Sequence, residues 1–300
     1  MSIKSIIVLT DLSSGSEAAL ERAALLAYQH DAQLSLVHVE GTSNGMIAEP
    51  AARLEQRARQ YRRRFGIEVM VRPELVLLTD NIRRLTDEKD LLVMHSLADG
   101  RIARMFKVTA VDRVVRNSRC PVLVVRRASG DSYQTVIAAV DFSETSRRAA
   151  RIGSMLAGGA RFELFHAVSV REEAKLRSAE VSTVALLAYR GHVLRAAGHR
   201  MHELMKAMAL AEESATSVIG RGDPARQAVM RQKAVNADLV VVGRTPQSAL
   251  ADFVAGSVAH HLLALGTSDV LVVPNAVSAN RAPATAGGKA LLPSQGEPTM

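Results

Sequence analysis

The chain has 300 residues, 48% of them hydrophobic and only 3% aromatic, which is enough for one large or two ordinary domains with cores of Val, Leu, Ala and Ile. Its net charge of +8 is compatible with an anionic partner such as nucleic acid or lipid, and equally with solubility alone. The single cysteine excludes an internal disulfide, and no apolar stretch approaches the roughly 20 residues of a membrane span, so the composition predicts a cytoplasmic protein that does not cross a membrane.

The first half of the chain opens with an apolar run that ends in Asp11, followed by an Ala- and Leu-rich helical pattern and a second apolar run. The most basic segment, Arg53–Phe65, comes next. It could contact nucleic acid, but it has no recognisable nucleic-acid motif, so an amphipathic helix with a solvated basic face is favoured. The half closes with "LLVMHSLADG", a helical pattern, Cys120-Pro121 and the apolar run Val122–Val125.

The second half repeats this unit. Asp11 corresponds to Asp141 and Pro121 to Asp269, so the second copy is 18 residues longer between these landmarks. Similarity on this scale indicates duplicated domains. In the second copy the patterns predict strands and helices that alternate along the chain. The strands are expected at Thr135–Val140, Phe162–Val168, Ser214–Gly220, Leu239–Val242 and Val270–Val273, and the helices at Thr145–Ala157, Glu172–Met208, Ala225–Val235 and Ser257–Leu265.

Strands that are apolar throughout and alternate with helices are typical of a parallel sheet covered on both faces. We therefore predict an α/β protein of two tandem doubly wound, Rossmann-like domains with five-stranded parallel sheets. The domains are expected at residues 1–126 and 133–274, with a linker at 127–132 and a disordered tail at 275–300. The last strands, Val122–Val125 and Val270–Val273, would otherwise be bare sheet edges, so we expect them to pair antiparallel and to pack the halves as a pseudo-dimer.

The segment after Leu239–Val242 has the residues of an anion site. In an open parallel sheet, ligands bind beyond the carboxyl ends of the strands, where Asp141 and Gly243 are both expected. Gly243 lacks a Cβ and lets the backbone approach a ligand closely. Gly256-Ser257 would begin a helix whose free N–H groups and dipole favour an anion. Ser257 is also explained as a plain helix N-cap, although that interpretation leaves Gly243 without a reason.

The spacing G-x2-G-x9-G-[ST], together with "VDFSE", "GRGDPARQAV" and "VAGSVAHHLLALGTSDVLVVP", resembles the nucleotide signature of the universal stress protein family, and the layout is similar to its tandem members. The resemblance covers about residues 3–126 and 133–274. It implies a stress-response regulatory protein that binds ATP or a related adenine nucleotide, with or without Mg²⁺, in the second half. The nucleotide-binding residues that it implies are Ala139, Asp141, Ala167, Val242, Gly243, Thr245, Gly256, Ser257 and Val258.

The sequence departs from that signature in both halves. In the second half Pro246 stands at the second glycine position, and a proline has no N–H to donate to a phosphate. In the first half the four signature positions hold His95, Ala98, Val108 and Thr109. We therefore expect the first half to be a degenerate domain that keeps the fold, and the second half to bind the nucleotide.

Two other classes of function stay open. An ATP-dependent transferase would need carboxylates that hold Mg²⁺, and Asp252 is the only acid within the signature loop, which argues against it. A nucleotide-free interaction scaffold stays open because of Pro246. No group supplies a nucleophile or an oriented general base, so we predict no catalytic residues and at most weak ATP hydrolysis. A homodimer of tandem chains is a further expected partner, and nucleic acid is disfavoured.

Three histidines, His192, His199 and His202, share one face of a predicted helix. Histidine is a common metal ligand, but no cysteine or acidic cluster near them completes a ligand set. We therefore predict no metal site and interpret these residues as a solvated helix face.

Overall fold

The computed structural model describes residues 2–39, 49–76, 82–95, 110–127, 131–210, 215–244 and 257–275. The predicted tail lies outside these residues apart from Asn275, and so do residues 128–130 of the predicted linker. Within the described part of the first half, the elements are β1 (Ser5–Thr10), α1 (Ser14–His30), β2 (Gln33–Val39), α2 (Pro50–Phe65), β3 (Val69–Val76), α3 (Ile82–Thr86), β4 (Leu91–His95), α4 (Ala110–Asn117) and β5 (Val122–Val125). In the second half they are β6 (Thr135–Ala139), α5 (Glu144–Ala157), β7 (Arg161–Val168), α6 (Arg171–Ser178), α7 (Thr183–Ala207), β8 (Ala215–Arg221), α8 (Pro224–Ala234), β9 (Leu239–Gly243), α9 (Ser257–Leu265) and β10 (Asp269–Val273).

The ten described strands form one sheet in the order β3-β2-β1-β4-β5-β10-β9-β6-β7-β8. Within each half all neighbouring strands are parallel. The halves meet where β5 pairs antiparallel with β10 and Leu123 lies opposite Leu271. The prediction of two doubly wound α/β halves, joined through their last strands as a pseudo-dimer, is therefore confirmed.

Two apolar cores lie on the two faces of this sheet because successive strand residues point to opposite faces. Ile6 and Val8 belong to the core that includes α1, α2, α5 and α7, whereas Ile7 and Leu9 belong to the core that includes α3, α4, α8 and α9. At the junction of the halves, Leu123 and Leu271 enter the first core, and their neighbours on β5 and β10 enter the second. Each core therefore runs through both halves without interruption.

The prediction of a single helix over Glu172–Met208 is wrong. The chain forms α6 and α7 instead, and Glu180 between them has a left-handed φ of 54°. Ser182 caps α7 by accepting a hydrogen bond from Ala185 N at 3.3 Å. Glu173 on α6 binds Arg190 on α7 and Arg221 at the end of β8, which holds α6 against both elements.

The basic run of the first half forms α2, an amphipathic helix. Its buried side chains are Leu54, Ala58 and Tyr61. Arg57 lies 2.7 Å from a carboxylate oxygen of Glu17, and Arg64 lies 3.0 Å from one of Glu21. Part of the basic face is thus paired with acids of α1. In the described part of the chain, none of the helices combines the length and the apolar composition needed to cross a bilayer.

Candidate functional site

A cleft opens at the carboxyl edge of the second half, among the ends of β6, β7 and β9. The strand order reverses there, because β7 lies on one side of β6 and β9 on the other. The cleft has a volume of about 150 Å³. Its lining residues are Ala139, Val140, Asp141, Ser146, Phe165, His166, Ala167, Pro224, Ala228, Val242, Gly243, Val258 and Ala259. Most of its wall is therefore apolar, with a carboxylate, a serine and a histidine among the lining groups.

The structure brings six of the nine sequence-predicted site residues to this cleft, and these are Ala139, Asp141, Ala167, Val242, Gly243 and Val258. They come from the ends of β6, β7 and β9 and from the first turn of α9. Ser257 is the first residue of α9. Thr245 and Gly256 lie outside the described residues, as does Pro246.

Asp141 forms a tight turn at the entrance to α5. Its Oδ1 accepts hydrogen bonds from Ser143 N at 2.9 Å and from Ser143 Oγ at 2.5 Å. Phe142 between them has a left-handed φ of 66°. Ser143 in turn caps α5 by accepting from Ser146 N at 3.2 Å. The carboxylate is thus oriented by the turn that starts the helix.

The first half has the same turn. Asp11 Oδ1 accepts from Ser13 N at 3.0 Å and from Ser13 Oγ at 2.5 Å, and Leu12 has a φ of 58°. Burial works to raise the pKa of Asp11, but the hydrogen bonds from Ser13 outweigh it and the pKa is lowered. Because the turn recurs in both halves, an aspartate at this position has a structural reason that is independent of any ligand.

Gly243 also has a structural reason. A Cβ at this position would lie 3.0 Å from Ser146 N and 3.0 Å from the carbonyl carbon of Thr145, both in the backbone of α5. The glycine therefore lets the end of β9 approach the first turn of α5. This packing is a second reason for the glycine, beside the close approach of a ligand that its place in the sequence predicts.

His166, which lines the cleft, packs against Phe142. Their ring centroids are 4.4 Å apart, and the guanidinium of Arg200 lies 4.1 Å from the Phe142 ring. His166 Nδ1 lies 2.8 Å from Val140 O, and burial lowers the pKa of His166. Sequence analysis did not assign Phe165 or His166 to a site, although a histidine recurs at this place in both copies, at positions 38 and 166.

A second wall comes from the turn that leads into α8. Gly222 has a φ of 144°, which a residue with a Cβ rarely adopts. Asp223 caps α8 by accepting from Arg226 N at 3.0 Å, and Pro224 is the first helical residue. The sequence "GDP" thus places Pro224 and Ala228 beside the cleft.

An arginine cluster lies at the same edge of the sheet. Arg177, Arg190 and Arg221 all pair with the carboxylate of Glu173. Hydrogen bonds from Arg190 and Arg221 lower the pKa of Glu173 to about 2. The cluster keeps an excess of positive charge near the end of β8, next to β7.

The described residues contain no group of three or more His, Cys, Asp or Glu side chains that could hold a metal ion. Of the three helical histidines, His199 lies 3.5 Å from a carboxylate oxygen of Glu203, and both side chains are exposed.

Both the sequence and the structure of this chain are similar to those of known proteins. The model of the universal stress protein family matches residues 2–126 and again residues 132–274. A functionally unknown protein from Pseudomonas aeruginosa has a similar structure over 91% of this chain and 93% of its own, at 19% identity and a TM-score of 0.67. A universal stress protein from Archaeoglobus fulgidus is similar over 91% of this chain and 97% of its own, at 16% identity and a TM-score of 0.64.

A third structure, a universal stress protein in complex with cAMP, is 26% identical, covers 48% of this chain and 98% of its own, and has a TM-score of 0.33. A search of curated proteins found no significant match.

Proposed function

Because the chain belongs to the universal stress protein family, with two copies of the family domain in tandem, we propose that it binds ATP or a related adenine nucleotide in the cleft of its second half. The binding would bias the shape or the partners of a cytoplasmic stress-response protein. The proposed domains are residues 1–126 and 133–274, with 127–132 as the linker and 275–300 as the tail.

The observation that carries this proposal is the convergence of Ala139, Asp141, Ala167, Val242, Gly243 and Val258 on one cleft. The small and apolar side chains that line the cleft suit a purine ring, and the carboxylate of Asp141 among them suits a ribose hydroxyl. The start of α9 supplies N–H groups and a positive dipole end, which suit phosphates. The residues present thus fit a nucleotide, and Thr245, Gly256 and Ser257 complete the proposed phosphate grip.

The proposed role is regulatory. The cleft contains a histidine, His166, and a serine, Ser146, but the imidazole Nδ1 lies 2.8 Å from Val140 O and the serine hydroxyl donates to Ser143 O at 3.0 Å, so the two do not form a nucleophile–base pair. Any Mg²⁺ would arrive on the phosphates of the nucleotide. We therefore propose at most weak ATP hydrolysis.

Calorimetric titration of the full chain with ATP tests this function. We expect a stoichiometry of one nucleotide per chain, bound with or without Mg²⁺. ADP, cAMP and GTP serve as comparison ligands, and weaker binding of GTP would support a pocket for adenine. Two equal sites per chain, or no binding of any adenine nucleotide, would contradict the proposal.

A nucleotide-free scaffold is the second candidate, and two features favour it. Gly243 is explained by its contact with α5, and Pro246 removes a donor from the signature. The deciding experiment is mass analysis of the small molecules released when the purified protein is denatured. Recovery of an adenine nucleotide in near-equal molar amount supports the first candidate, and its absence together with a flat titration supports the second.

A further inference from the structure

A buried charged cluster lies where the two halves meet, at the start of β10. Asp269 and Arg22 are only 1% and 2% exposed, and Arg22 Nε lies 3.7 Å from Asp269 Oδ2. The same carboxylate oxygen accepts a hydrogen bond from the hydroxyl of Tyr133 at 2.8 Å. The other oxygen, Oδ1, accepts from the backbone N–H groups of Arg126 at 2.8 Å and Arg127 at 3.2 Å. Both oxygens of this buried carboxylate are therefore engaged.

The cluster draws its members from both halves. Arg22 lies on α1, and Arg126 directly follows β5, so these two groups belong to the first half. Asp269 begins β10, and Tyr133 lies two residues before β6. The guanidinium of Arg22 also lies 4.1 Å from the centroid of the Tyr133 ring, and its Nη1 donates to Asp131 O at 2.7 Å. The carboxylate of one half is thus satisfied by a charge and by N–H donors of the other.

Asp269 depends on these partners because it is buried. Burial raises the pKa of Asp269, although the hydrogen bonds from Arg126 and Tyr133 and the charge of Arg22 work against that rise. A buried charge that loses its partner is strongly destabilising, whereas an intact buried pair is often no more stable than apolar residues of the same volume. The cluster therefore acts on which surfaces can meet, more than on how tightly they hold together.

The pseudo-two-fold relation between the halves creates a second place equivalent to this cluster. Strand registers align β5 with β10 at an offset of 148 residues, since Val122 and Val270 occupy equivalent places beside β4 and β9. The capping serines Ser13 and Ser143 align α1 with α5 at an offset of 130 residues. By these offsets, the counterparts of Asp269, Arg126, Arg22 and Tyr133 are Pro121, Pro274, Ile152 and Ile3. The equivalent place is therefore apolar, and neither proline has an N–H to donate.

This difference decides which strand edges can pair. A bare β5 or β10 edge can pair antiparallel with a copy of itself, as in a symmetric dimer. If β10 paired with β10 of a second copy of the chain, Asp269 would be buried against Ile152 and Pro274 of that copy, without a guanidinium. If β5 paired with β5 of a second copy, Arg22 would be buried against Pro121 of that copy, without a carboxylate. Each pairing of like edges thus leaves a buried charge unpaired, which is costly.

We infer that the cluster of Arg22, Tyr133 and Asp269 selects the partner of the inner strand edges, so that β5 accepts β10 and each edge rejects a second copy of itself. The strands alone cannot make this choice, because β5 and β10 both carry the sequence Val-Leu-Val-Val. The selection comes from the cost of the wrong pairing, which is a common source of specificity. It does not depend on the binding of a nucleotide.

A pair of cysteines can report which edges have paired. In Cys120→Ala/Leu123→Cys/Leu271→Cys, the new thiols face each other when unlike edges pair, because Leu123 lies opposite Leu271. These are also equivalent positions, so each thiol would face its own copy when like edges pair. Opposed residues of antiparallel strands have Cα atoms about 4.5–5.5 Å apart, within the range of a disulfide. Oxidative refolding of the full chain, followed by peptide mapping, therefore measures the fraction of disulfides between like edges.

The test variant adds Arg22→Met/Tyr133→Phe/Asp269→Leu to this reporter, which removes the charges and the hydroxyl at similar side-chain volume. The tethered halves meet at an effective concentration on the order of 1 mM, so at about 100 µM chain we expect roughly a tenth of the disulfides between like edges. With the cluster intact, we expect at least about tenfold fewer, because like edges then bury unpaired charges. The free energy of unfolding of the test variant should be equal to or higher than that of the reporter.

Two further variants keep the test decisive. Glu163→Leu/Arg231→Met is the matched control, since it removes another buried carboxylate with its arginine, joined at 2.8 and 2.6 Å within the second half. It should leave the fraction of like-edge disulfides unchanged. Asp269→Asn keeps the shape of the side chain but not its charge. It should raise that fraction as the triple variant does, because Arg22 then lacks a carboxylate in either pairing.

The outcomes are distinct. If like-edge disulfides stay as rare in the triple variant and in Asp269→Asn as they are with the cluster intact, the inference is wrong. If the control raises them as much, the junction is merely loosened by any lost ion pair, and the inference is also wrong. If circular dichroism shows that the triple variant does not fold, Asp269→Asn decides alone. None of these results bears on the proposed function, which depends on the titration with ATP.

Discussion

The two halves share a fold, a topology and a turn, and they differ in how the carboxyl edge of the sheet is filled. Leu9 and Val39 of the first half are buried, whereas the corresponding residues of the second half, Ala139 and Ala167, are half-buried and line the cleft. His95 stands where the second half has Gly243. In the second half, the small residues Ala139, Ala167 and Gly243 line the cleft. In the first half, larger side chains stand at the three corresponding positions. Side-chain volume alone can thus fill this position in one copy of a duplicated domain while the backbone is retained.

The glycines of the two halves also differ in a compensating way. In the second half Gly243 on β9 faces Thr145 and Ser146 of α5. In the first half the glycine is on the helix instead, and a Cβ at Gly15 would lie 2.9 Å from Nε2 of His95. The contact between strand end and helix start needs one residue without a Cβ, and either side can provide it. The absence of a strand glycine in the first half is therefore matched by a helix glycine.

Giving the second half the side chains of the first should abolish the proposed binding. In Ala139→Leu/Ala167→Val the added methyl groups occupy the cleft, and we expect ATP affinity to fall at least about 100-fold, or ~2.8 kcal/mol. Calorimetric titration measures this loss. Ala160→Val, which precedes the amino end of β7, is the control and should bind as the wild type does. Unchanged affinity in the double variant would mean that the nucleotide does not enter this cleft.

The proposed phosphate grip can be tested by a change that copies the first half. Gly256→Val introduces the residue found at Val108, and loss of the backbone grip should cost about 2–3 kcal/mol, or roughly 30- to 150-fold in affinity. Gly159→Val serves as the control, because a Cβ there would meet nothing within 4 Å. A folded Gly256→Val variant, judged by circular dichroism, that binds ATP normally would refute the role of this glycine.

The glycine lies on the strand in one half and on the helix in the other, which predicts that changes at Gly15 and His95 have non-additive effects on the free energy of unfolding. Gly15→Thr, which copies Thr145, should destabilise the protein by about 1–3 kcal/mol because the new side chain overlaps the imidazole. In Gly15→Thr/His95→Gly the overlap is relieved, so the double variant should be more stable than the sum of the single changes predicts. Urea unfolding of the four proteins gives the coupling energy. Strict additivity would show that the two residues do not compete for the same space.

The smallest expected effect is a pH dependence that comes from the pair of His260 on α9 and Asp112 on α4. The carboxylate of Asp112, 3.7 Å away, raises the pKa of His260 above its usual value, so the stabilising contribution of the pair is complete below about pH 6.5 and is lost as the pH rises through the folded-state pKa. Burial lowers the pKa values of His38, His95 and His166, which gives these residues the opposite trend. The difference between the wild type and Asp112→Asn isolates the pair. The unfolding free energies of the two proteins should therefore converge as the pH rises above about 6.5, and a constant difference would contradict the assignment.

Much of the architecture could be predicted from the sequence, because apolar runs and helical periods are local properties. The second-half strands at residues 135–140, 162–168, 239–242 and 270–273 were predicted within one or two residues of β6, β7, β9 and β10. The antiparallel pairing of β5 with β10 followed from two equivalent apolar edges. The break between α6 and α7 did not follow, since the helical period continues on both sides and the contact of Glu173 with Arg221 joins residues 48 positions apart.

For the site, the sequence by itself determined which residues end the strands and begin the helices, and so which of them could meet at the carboxyl edge. Only the tertiary structure decided what else meets them there. It brought Phe165, His166 and Pro224 into the cleft, gave Gly243 a contact with α5, and placed Asp112 opposite His260. The physical reason is that spacing along the chain reports the direction of a side chain within its own element. The space that remains around that side chain, and the charge that faces it, depend on elements far away along the chain, as with Ser146, which is 97 residues from Gly243, and Asp112, which is 148 residues from His260.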